Sequence, residues 1–386
     1  MEKRKEGQKI PNKLISKLEK RANQGLLRTL KTNDDSLEDF SSNDYLGLAV
    51  EPAIQNMATK ILNDYKLLNQ NGAKGSRLLN GNHDLYLYAE TFLSNQHHSE
   101  SALIYNSGYT ANIGLLSAVL SRNTFVIYDE LIHASLRDAI QFSQAKGYKY
   151  AHNDAIHIQN LLEQLRTKHQ ETTILLVTEA VFSMDGDLAP LDDIIALCKK
   201  FDVYLIIDEA HATATPHHQA IENKVKNHAM ARVLTFGKSL GVHGACILCS
   251  NELRSYLINF SRSFIYTTAL PPHTLAAVIA AYQFLNNNQQ YIKYLEEVVN
   301  TFKIAVDKNQ LSQNFLNSHT PIQSLIVGSN SKAKQLEALL KEHGFDIRAI
   351  LSPTVPTGTE RLRICLHAYN SKDAIERLMQ LLKKNL

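Results

Sequence analysis

Five short apolar runs in this chain are each followed by residues able to do chemistry. Run 102–105 leads into Asn106-Ser107-Gly108-Tyr109, and run 125–128 into Asp129-Glu130-Leu131-Ile132-His133. Run 173–177 leads to Glu179 and then Ser183-Met184-Asp185-Gly186, and run 203–207 to Asp208-Glu209-Ala210-His211. Run 233–235 is followed by Gly237-Lys238-Ser239. Taken singly, each has a plain structural explanation. A Ser-Gly pair before a helix is an N-cap and turn. A single histidine or aspartate after a strand commonly caps the next helix, and Lys238 among Gly237, Gly241 and Gly244 reads equally well as a solvated loop lysine. It is the repetition at successive strand ends that points to a site, because open parallel sheets bind ligands past the carboxyl ends of their strands.

The chemistry that uses a lysine, a carboxylate, flat imidazoles and a helix N-terminus together is that of an electron sink held over an amine. Pyridoxal phosphate meets this description: its aldehyde condenses with a lysine, and its ring nitrogen needs a carboxylate partner. Its phosphate needs N–H and hydroxyl donors, which a helix N-terminus supplies. Neither G-x-x-x-x-G-K-[ST] nor a G-x-G-x-x-G after the first strand of this region is present, so the usual nucleotide-binding loops are not indicated.

The elements that must position these residues are legible as alternation. Apolar, β-rich runs at 102–105, 125–128, 173–177, 203–207, 233–235 and 245–249 are separated by helical stretches at 112–120, 133–142, 158–165 and 191–201. Strands apolar on both faces and separated by helices predict a mostly parallel, doubly wound α/β sheet. After Pro271-Pro272 a long helical region, 273–308, leads to strands at 322–327 and 361–366 and helices at 332–343 and 372–384. That pattern predicts a smaller α+β domain. The expected organisation is an arm with a helix over 11–30, broken by Asn33-Asp34-Asp35-Ser36, within residues 1–48. A large domain over 49–289 and a small one over 290–386 follow it.

Composition narrows the classes. The chain has 386 residues, 44% hydrophobic and 20% charged, with a formal net charge of +3 (41 basic minus 38 acidic). That balance predicts a globular protein and gives no electrostatic argument for nucleic acid. The longest nearly apolar run, 275–282, is far shorter than the ~20 residues of a membrane helix. The charged start, Met1-Glu2-Lys3-Arg4-Lys5-Glu6, is not followed by a signal-type apolar stretch. Four cysteines fit a reducing compartment, so a cytoplasmic location is expected. Sixteen histidines, among them His97-His98 and His217-His218, raise the alternative of a metal-binding protein. Adjacent histidines share no face of a helix or strand, and Cys246-x-x-Cys249 lies inside an apolar run, so no metal is expected.

The chain resembles the α-oxoamine synthase family of fold-type I pyridoxal-phosphate enzymes. The resemblance is carried by Asp39-Phe40-Ser41-Ser42-Asn43-Asp44-Tyr45-Leu46-Gly47-Leu48 and by Thr178-Glu179-Ala180-Val181-Phe182-Ser183-Met184-Asp185-Gly186-Asp187. Asp208-Glu209-Ala210-His211, Thr235-Phe236-Gly237-Lys238-Ser239-Leu240-Gly241, Ile265-Tyr266-Thr267-Thr268 and Pro353-Thr354-Val355-Pro356 complete it. It implies that Lys238 joins the cofactor, Asp208 pairs with the ring nitrogen, His211 with the ring hydroxyl oxygen, and His133 stacks on the ring. Ser183, Gly108, Tyr109 and Thr235 would line the cofactor site. Thr267 and Thr268 would reach the phosphate held by a second copy of the chain, which implies a homodimer. Arg363 would clamp the amino-acid carboxylate, with Asn43, Arg21 and Ser76 also in the substrate region. The implied reaction is decarboxylative condensation of L-alanine with a pimeloyl thioester of CoA or of an acyl carrier protein. Glycine with acetyl-CoA, and serine with a long-chain acyl thioester, are the alternatives within the family. Ala212, Ala214, Lys74 and Leu351 depart from the family pattern, with Arg348 the arginine nearest Leu351; two methyl groups at 212 and 214 are expected to narrow the site.

Overall fold

The computed structural model describes residues 10–386 except 31 and 33; the charged start and Asn33 lie outside the described residues. Residues up to Leu37 form one unit, and Glu38–Leu386 form a second, compact one. In the first unit the helix runs Asn12–Asn23, shorter than the expected 11–30. It stops where Gly25 takes a positive φ of 65°.

In the second unit, the strands in chain order are β1 (Glu38–Asp39), β2 (Ser101–Tyr105), β3 (Phe125–Asp129), β4 (Lys146–Tyr150), β5 (Ile174–Glu179) and β6 (Tyr204–Asp208). They continue with β7 (Ala229–Thr235), β8 (Ala245–Cys249), β9 (Ile322–Ile326), β10 (Phe345–Asp346), β11 (Arg348–Ile350) and β12 (Arg361–Cys365). The main sheet has seven strands in the order β2-β8-β7-β6-β5-β3-β4. All neighbours are parallel except β8, which runs antiparallel to both β2 and β7. This is the mostly parallel, doubly wound sheet that the alternation predicts. β4 was not expected from the sequence: Lys146-Gly147-Tyr148-Lys149-Tyr150 is largely exposed at the sheet edge, so burial leaves no apolar pattern there. Edge strands carry charge for a reason, since it discourages pairing with other chains.

Local chemistry fixes the helix starts. Ser107 and Thr110 form a capping box at the head of the helix Gly108–Val119, directly after β2. The long helical region after Pro271 is two helices, Pro272–Asn287 and Gln290–Lys308. Asn288 ends the first by turning its side-chain amide onto the Phe284 carbonyl at 2.8 Å, a local bond that competes with helix propagation. The helices Pro52–Asp64 and Asp84–Gln96 were also unforeseen, although Pro52 at the first turn under a Glu51 cap is a legible start signal.

Two apolar cores result. The larger surrounds the seven-stranded sheet. The second is built mainly from residues 299–382, around the β11-β12-β9 sheet. Phe40 also belongs to the second core, because β1 pairs in parallel with β10 and carries it there. No helix among the described residues is long and apolar enough to cross a membrane.

Candidate active site

The register of the sheet brings the chemistry together. Glu179 and Asp208 are paired residues at the ends of β5 and β6. The end of β7 lies next to them and leads directly into Lys238. A cavity of about 220 Å³ opens here, lined among others by Gly108, Tyr109, His133, Glu179, Asp208, His211, Thr235 and Lys238. Seven of the residues expected for the catalytic and cofactor roles therefore share one cavity.

Asp208 is buried and oriented twice over. Its Oδ2 accepts from Asn112 Nδ2 at 2.7 Å and its Oδ1 from the Ala210 amide at 2.9 Å. Asn112 also donates to Ser135 Oγ at 2.9 Å. His133 caps its helix through Nδ1, which accepts from the Ser135 amide at 3.2 Å. An accepting Nδ1 carries no hydrogen, so the proton of the neutral ring is assigned to Nε2. Desolvation holds this imidazole below its ordinary range, with Asp208 opposing. The His133 amide donates to Glu179 Oε1 at 2.6 Å. Burial, and next to it the neighbouring Asp208 charge, push the Glu179 carboxyl far above the usual carboxylate range. Burial and the Asp208 charge thus favour the protonated form of Glu179 over a second carboxylate, against the bond from the His133 amide.

Lys238 is half-buried in the cavity wall. Desolvation lowers its amine below the ordinary lysine range, against the pull of Asp208 and Glu179. His211 is buried and is driven well below its ordinary value, first by desolvation and then by the charges of Lys238 and Arg363. Its Nδ1 lies 2.7 Å from the Tyr45 hydroxyl. Arg363 Nη2 donates to that hydroxyl oxygen at 3.4 Å and to Asn43 Oδ1 at 3.0 Å. The Tyr45 hydroxyl has two acceptors in reach, Asn43 Oδ1 at 3.2 Å and His211 Nδ1 at 2.7 Å; the shorter contact assigns its hydrogen to His211 Nδ1, leaving Nε2–H as the donor on the other side of the ring.

The remaining expected residues lie outside the cavity wall. Arg363, on β12, is buried and reaches the cavity only through Tyr45 and His211. Its Nε donates to the Ser183 carbonyl at 2.7 Å and its Nη1 to Cys365 Sγ at 2.9 Å. Ser183 thus meets Arg363 through its backbone. Thr267 Oγ1 and the Thr268 carbonyl are held by Asn106 Nδ2, at 3.2 and 2.9 Å, beside the head of the Gly108–Val119 helix. Ser76 belongs to a turn in which its carbonyl accepts from the Leu79 and Gly81 amides. Arg21 is exposed on the helix of the first unit. Neither Ala212 nor Ala214 lines the cavity, so their methyl groups do not narrow it. Ala214 and Lys74 both hold positive φ, 56° and 65°, a conformation that glycine adopts without cost.

Asn112, Ser135 and Tyr45 were not expected to act. Asn112 had a signal: it is a polar, poorly helix-forming residue among Ala111, Ile113 and Gly114, one turn after the helix start. Glu179 stood in the strand-end series without a role.

The donor set fits pyridoxal phosphate. Ser107 Oγ takes the Thr110 N–H, and the Gly108 and Tyr109 N–H groups, which have no intrahelical acceptors, are placed to receive an anion. A Cβ on Gly108 would meet Thr235 Cγ2 at 2.5 Å, so only glycine lets the helix start sit this close to β7. Ser239 Oγ and Asn112 Oδ1 are buried without a protein partner, and such groups call for one. An oriented carboxylate, a desolvated lysine and a flat neutral imidazole complete the set.

The comparisons with known proteins agree. The family model for class I and II aminotransferases matches residues 35–382. The 8-amino-7-oxononanoate synthase of Emericella nidulans is 34% identical over 96% of this chain and 94% of its own. The crystal structure of 8-amino-7-oxononanoate synthase from Francisella tularensis superposes with a TM-score of 0.74 at 27% identity, covering 91% of this chain and 98% of that one. Serine palmitoyltransferase from Sphingomonas wittichii shares the fold, with a TM-score of 0.84 at 23% identity over 97% of this chain and 96% of that one. This chain belongs to the class I and II aminotransferase family, in the branch that contains the 8-amino-7-oxononanoate synthases.

Proposed function

We propose that this chain is a pyridoxal-phosphate-dependent acyltransferase that condenses L-alanine with a pimeloyl thioester, yielding 8-amino-7-oxononanoate, carbon dioxide and free thiol, a reaction of biotin biosynthesis. The observation that carries the reading is one cavity lined together by Lys238, Asp208, His133 and His211, with both histidines held below their ordinary range by desolvation. The relatives at 33–38% identity bear the name of this synthase, and this favours alanine over the serine or glycine alternatives.

Lys238 would hold the cofactor covalently, Asp208 its ring nitrogen, His211 Nε2 its ring hydroxyl oxygen and His133 its face. The helix start at Gly108, with Tyr109 and Thr235, would hold the phosphate. When bound, the cofactor supplies an aromatic ring that stores the electron pair left as bonds at the amino-acid Cα break. The chain's residues do the rest. Asp208, fixed by Asn112 and the Ala210 amide, would keep a proton on the ring nitrogen. Lys238, whose amine desolvation lowers to about 8, would take the proton from Cα in its neutral form and later return one. Protonated Glu179 adds no second negative charge beside Asp208. Arg363 would take the substrate carboxylate at its guanidinium, whose Nη2 Asn43 and Tyr45 now hold. Support for a homodimer comes from Thr267 and Thr268, which stand exposed or half-exposed beside the phosphate-binding helix start. A cytoplasmic location accords with this chemistry.

The experiment is a panel of alanine, glycine and serine against pimeloyl, acetyl and palmitoyl thioesters, read by thiol release. Borohydride reduction and peptide mapping accompany it. Turnover confined to alanine with a pimeloyl donor, and a pyridoxyl mass on the Lys238 peptide, are expected. A preference for serine or glycine would refute the substrate assignment, and an unmodified Lys238 would refute the cofactor assignment.

A further inference from the structure

A second dense cluster of charge lies outside the cavity, just past β4. His152 Nδ1 contacts Asp129 Oδ1 at 2.9 Å, and its Nε2 contacts Asp187 Oδ2 at 2.7 Å. Asn153 Nδ2 donates to the same Asp187 oxygen at 2.6 Å, and the Asn153 amide donates to Asp129 Oδ2 at 2.9 Å. Phe182 meets the imidazole edge-on, with ring centres 4.4 Å apart. A carboxylate at each ring nitrogen is satisfied only by an imidazolium, in which both nitrogens donate. Burial opposes that charge, but the two carboxylates prevail and raise the group to about 10. His152, Asp185 and Asp187 have the spacing of metal ligands. However, both ring nitrogens are engaged, and Arg361 already supplies a cation at Asp185.

Asp187 belongs to a tight loop. The Phe182 amide donates to the Asp187 carbonyl at 3.1 Å and the Gly186 amide to the Phe182 carbonyl at 2.9 Å. The other side of this loop meets the small sheet. Ser318 Oγ and Thr320 Oγ1 each donate to the Gly186 carbonyl at 2.8 Å, and Arg361 pairs with Asp185. The Ser183 carbonyl takes the Nε–H of Arg363 at 2.7 Å. Gly186 has φ +78°, and a Cβ there would lie 2.1 Å from the Ile322 carbonyl oxygen, so the loop has no slack on that side. The loop is therefore held from two directions. His152 holds it on the side of the main sheet, and Ser318, Thr320, Arg361 and Arg363 hold it on the other.

We propose that His152 is a positioning residue for the amino-acid substrate: by gripping Asp187 it fixes the 182–188 loop, whose Ser183 carbonyl sets the orientation of the Arg363 guanidinium. The inference rests on the reading of Arg363 as the substrate-carboxylate site. A guanidinium recognises a carboxylate through a planar fork, so rotation about its axis costs binding directly.

The test uses the holoenzyme with His152→Asn, His152→Gln and Asp187→Asn, alongside Arg363→Lys. L-Alanine affinity is read from the visible spectrum of the bound cofactor, and KM and kcat from thiol release. The expected result for the His152 and Asp187 variants is an approximately tenfold weaker alanine affinity and a matching rise in alanine KM. The acyl-thioester KM and the kcat at saturating alanine stay within about twofold. Combining His152→Asn with Arg363→Lys weakens alanine little beyond Arg363→Lys alone. Unchanged alanine affinity in the His152 variants, with weakened affinity in Arg363→Lys, overturns the role of His152 and leaves the Arg363 reading standing. If Arg363→Lys leaves alanine affinity unchanged, the Arg363 reading falls and the proposal falls with it. Loss of cofactor, or failure of all three variants to fold, assigns His152 to the stability of the fold and also overturns it.

Discussion

Asp208 and Glu209 are neighbours in sequence, and their surroundings could hardly differ more. Glu209 takes two bonds from Arg232, at 2.5 and 2.9 Å. Arg232 also reaches Glu222 at 3.1 Å and the His97 carbonyl at 3.2 Å. His97 in turn contacts Glu222 and the Tyr282 hydroxyl. In that network the charges are matched by the protein itself. Asp208 has only neutral amide donors, while the amine nearest to it, Lys238, is desolvated and makes no fixed ion pair with it. The cavity side keeps its charges uncommitted, and the opposite side neutralises them. A buried network whose members satisfy one another is structural, whereas a buried group left for something else to satisfy marks a binding site.

The largest test of this contrast is Lys238→Ala. Turnover should fall by at least ~10⁴-fold, since both the covalent anchor and the proton carrier are lost; the midpoint of thermal unfolding should scarcely move. Arg232→Leu should do the reverse. It leaves Glu209 unpaired in the core and Glu222 with His97 alone, and should cost about 3–5 kcal/mol of stability, measured by denaturant unfolding, while the protein that remains folded keeps its kcat. Asp208→Asn preserves the shape but removes the charge and one of the two acceptors that meet Asn112 and the Ala210 amide. A drop of ~10²–10³-fold in kcat with little change in stability is expected; a large loss of stability would erase the distinction between the two sides. The smallest effect concerns acid. Although burial opposes it, His97 and Arg232 hold the Glu222 carboxyl down at about 2. A carboxyl depressed in the folded state adds stability above its unfolded pKa of ~4.5. That contribution fades as the pH falls from there through about 2. The destabilisation caused by Glu222→Gln should accordingly shrink as the pH is lowered over this window.

What could be read in the chain beforehand follows from where the information lies. The cavity residues end buried parallel strands, and those strands are apolar throughout, as Ile174–Glu179 and Tyr204–Asp208 show. Strand ends could therefore be found and their polar successors inspected. β4 escaped because exposure at the sheet edge removes the apolar signal. Tyr45 escaped because its partners, His211 and Arg363, are 166 and 318 residues away, and no local pattern encodes a contact at that range. Glu179 was visible, but its raised carboxyl depends first on burial in the folded sheet and then on a neighbouring carboxyl supplied by the register of β5 against β6.

The link between Asn43 and Arg363 spans 320 residues. Around it, the Cys365 amide donates to the Phe40 carbonyl, and β1 pairs with β10. As a ribosome releases the chain, Asn43 emerges early and waits for nearly all of the remaining polypeptide before its partner exists. The seven-stranded sheet is complete by Cys249, so the cofactor-facing wall is translated well before the guanidinium that would select the substrate. Nascent chains that stop short of β12 carry the lysine but lack this arginine.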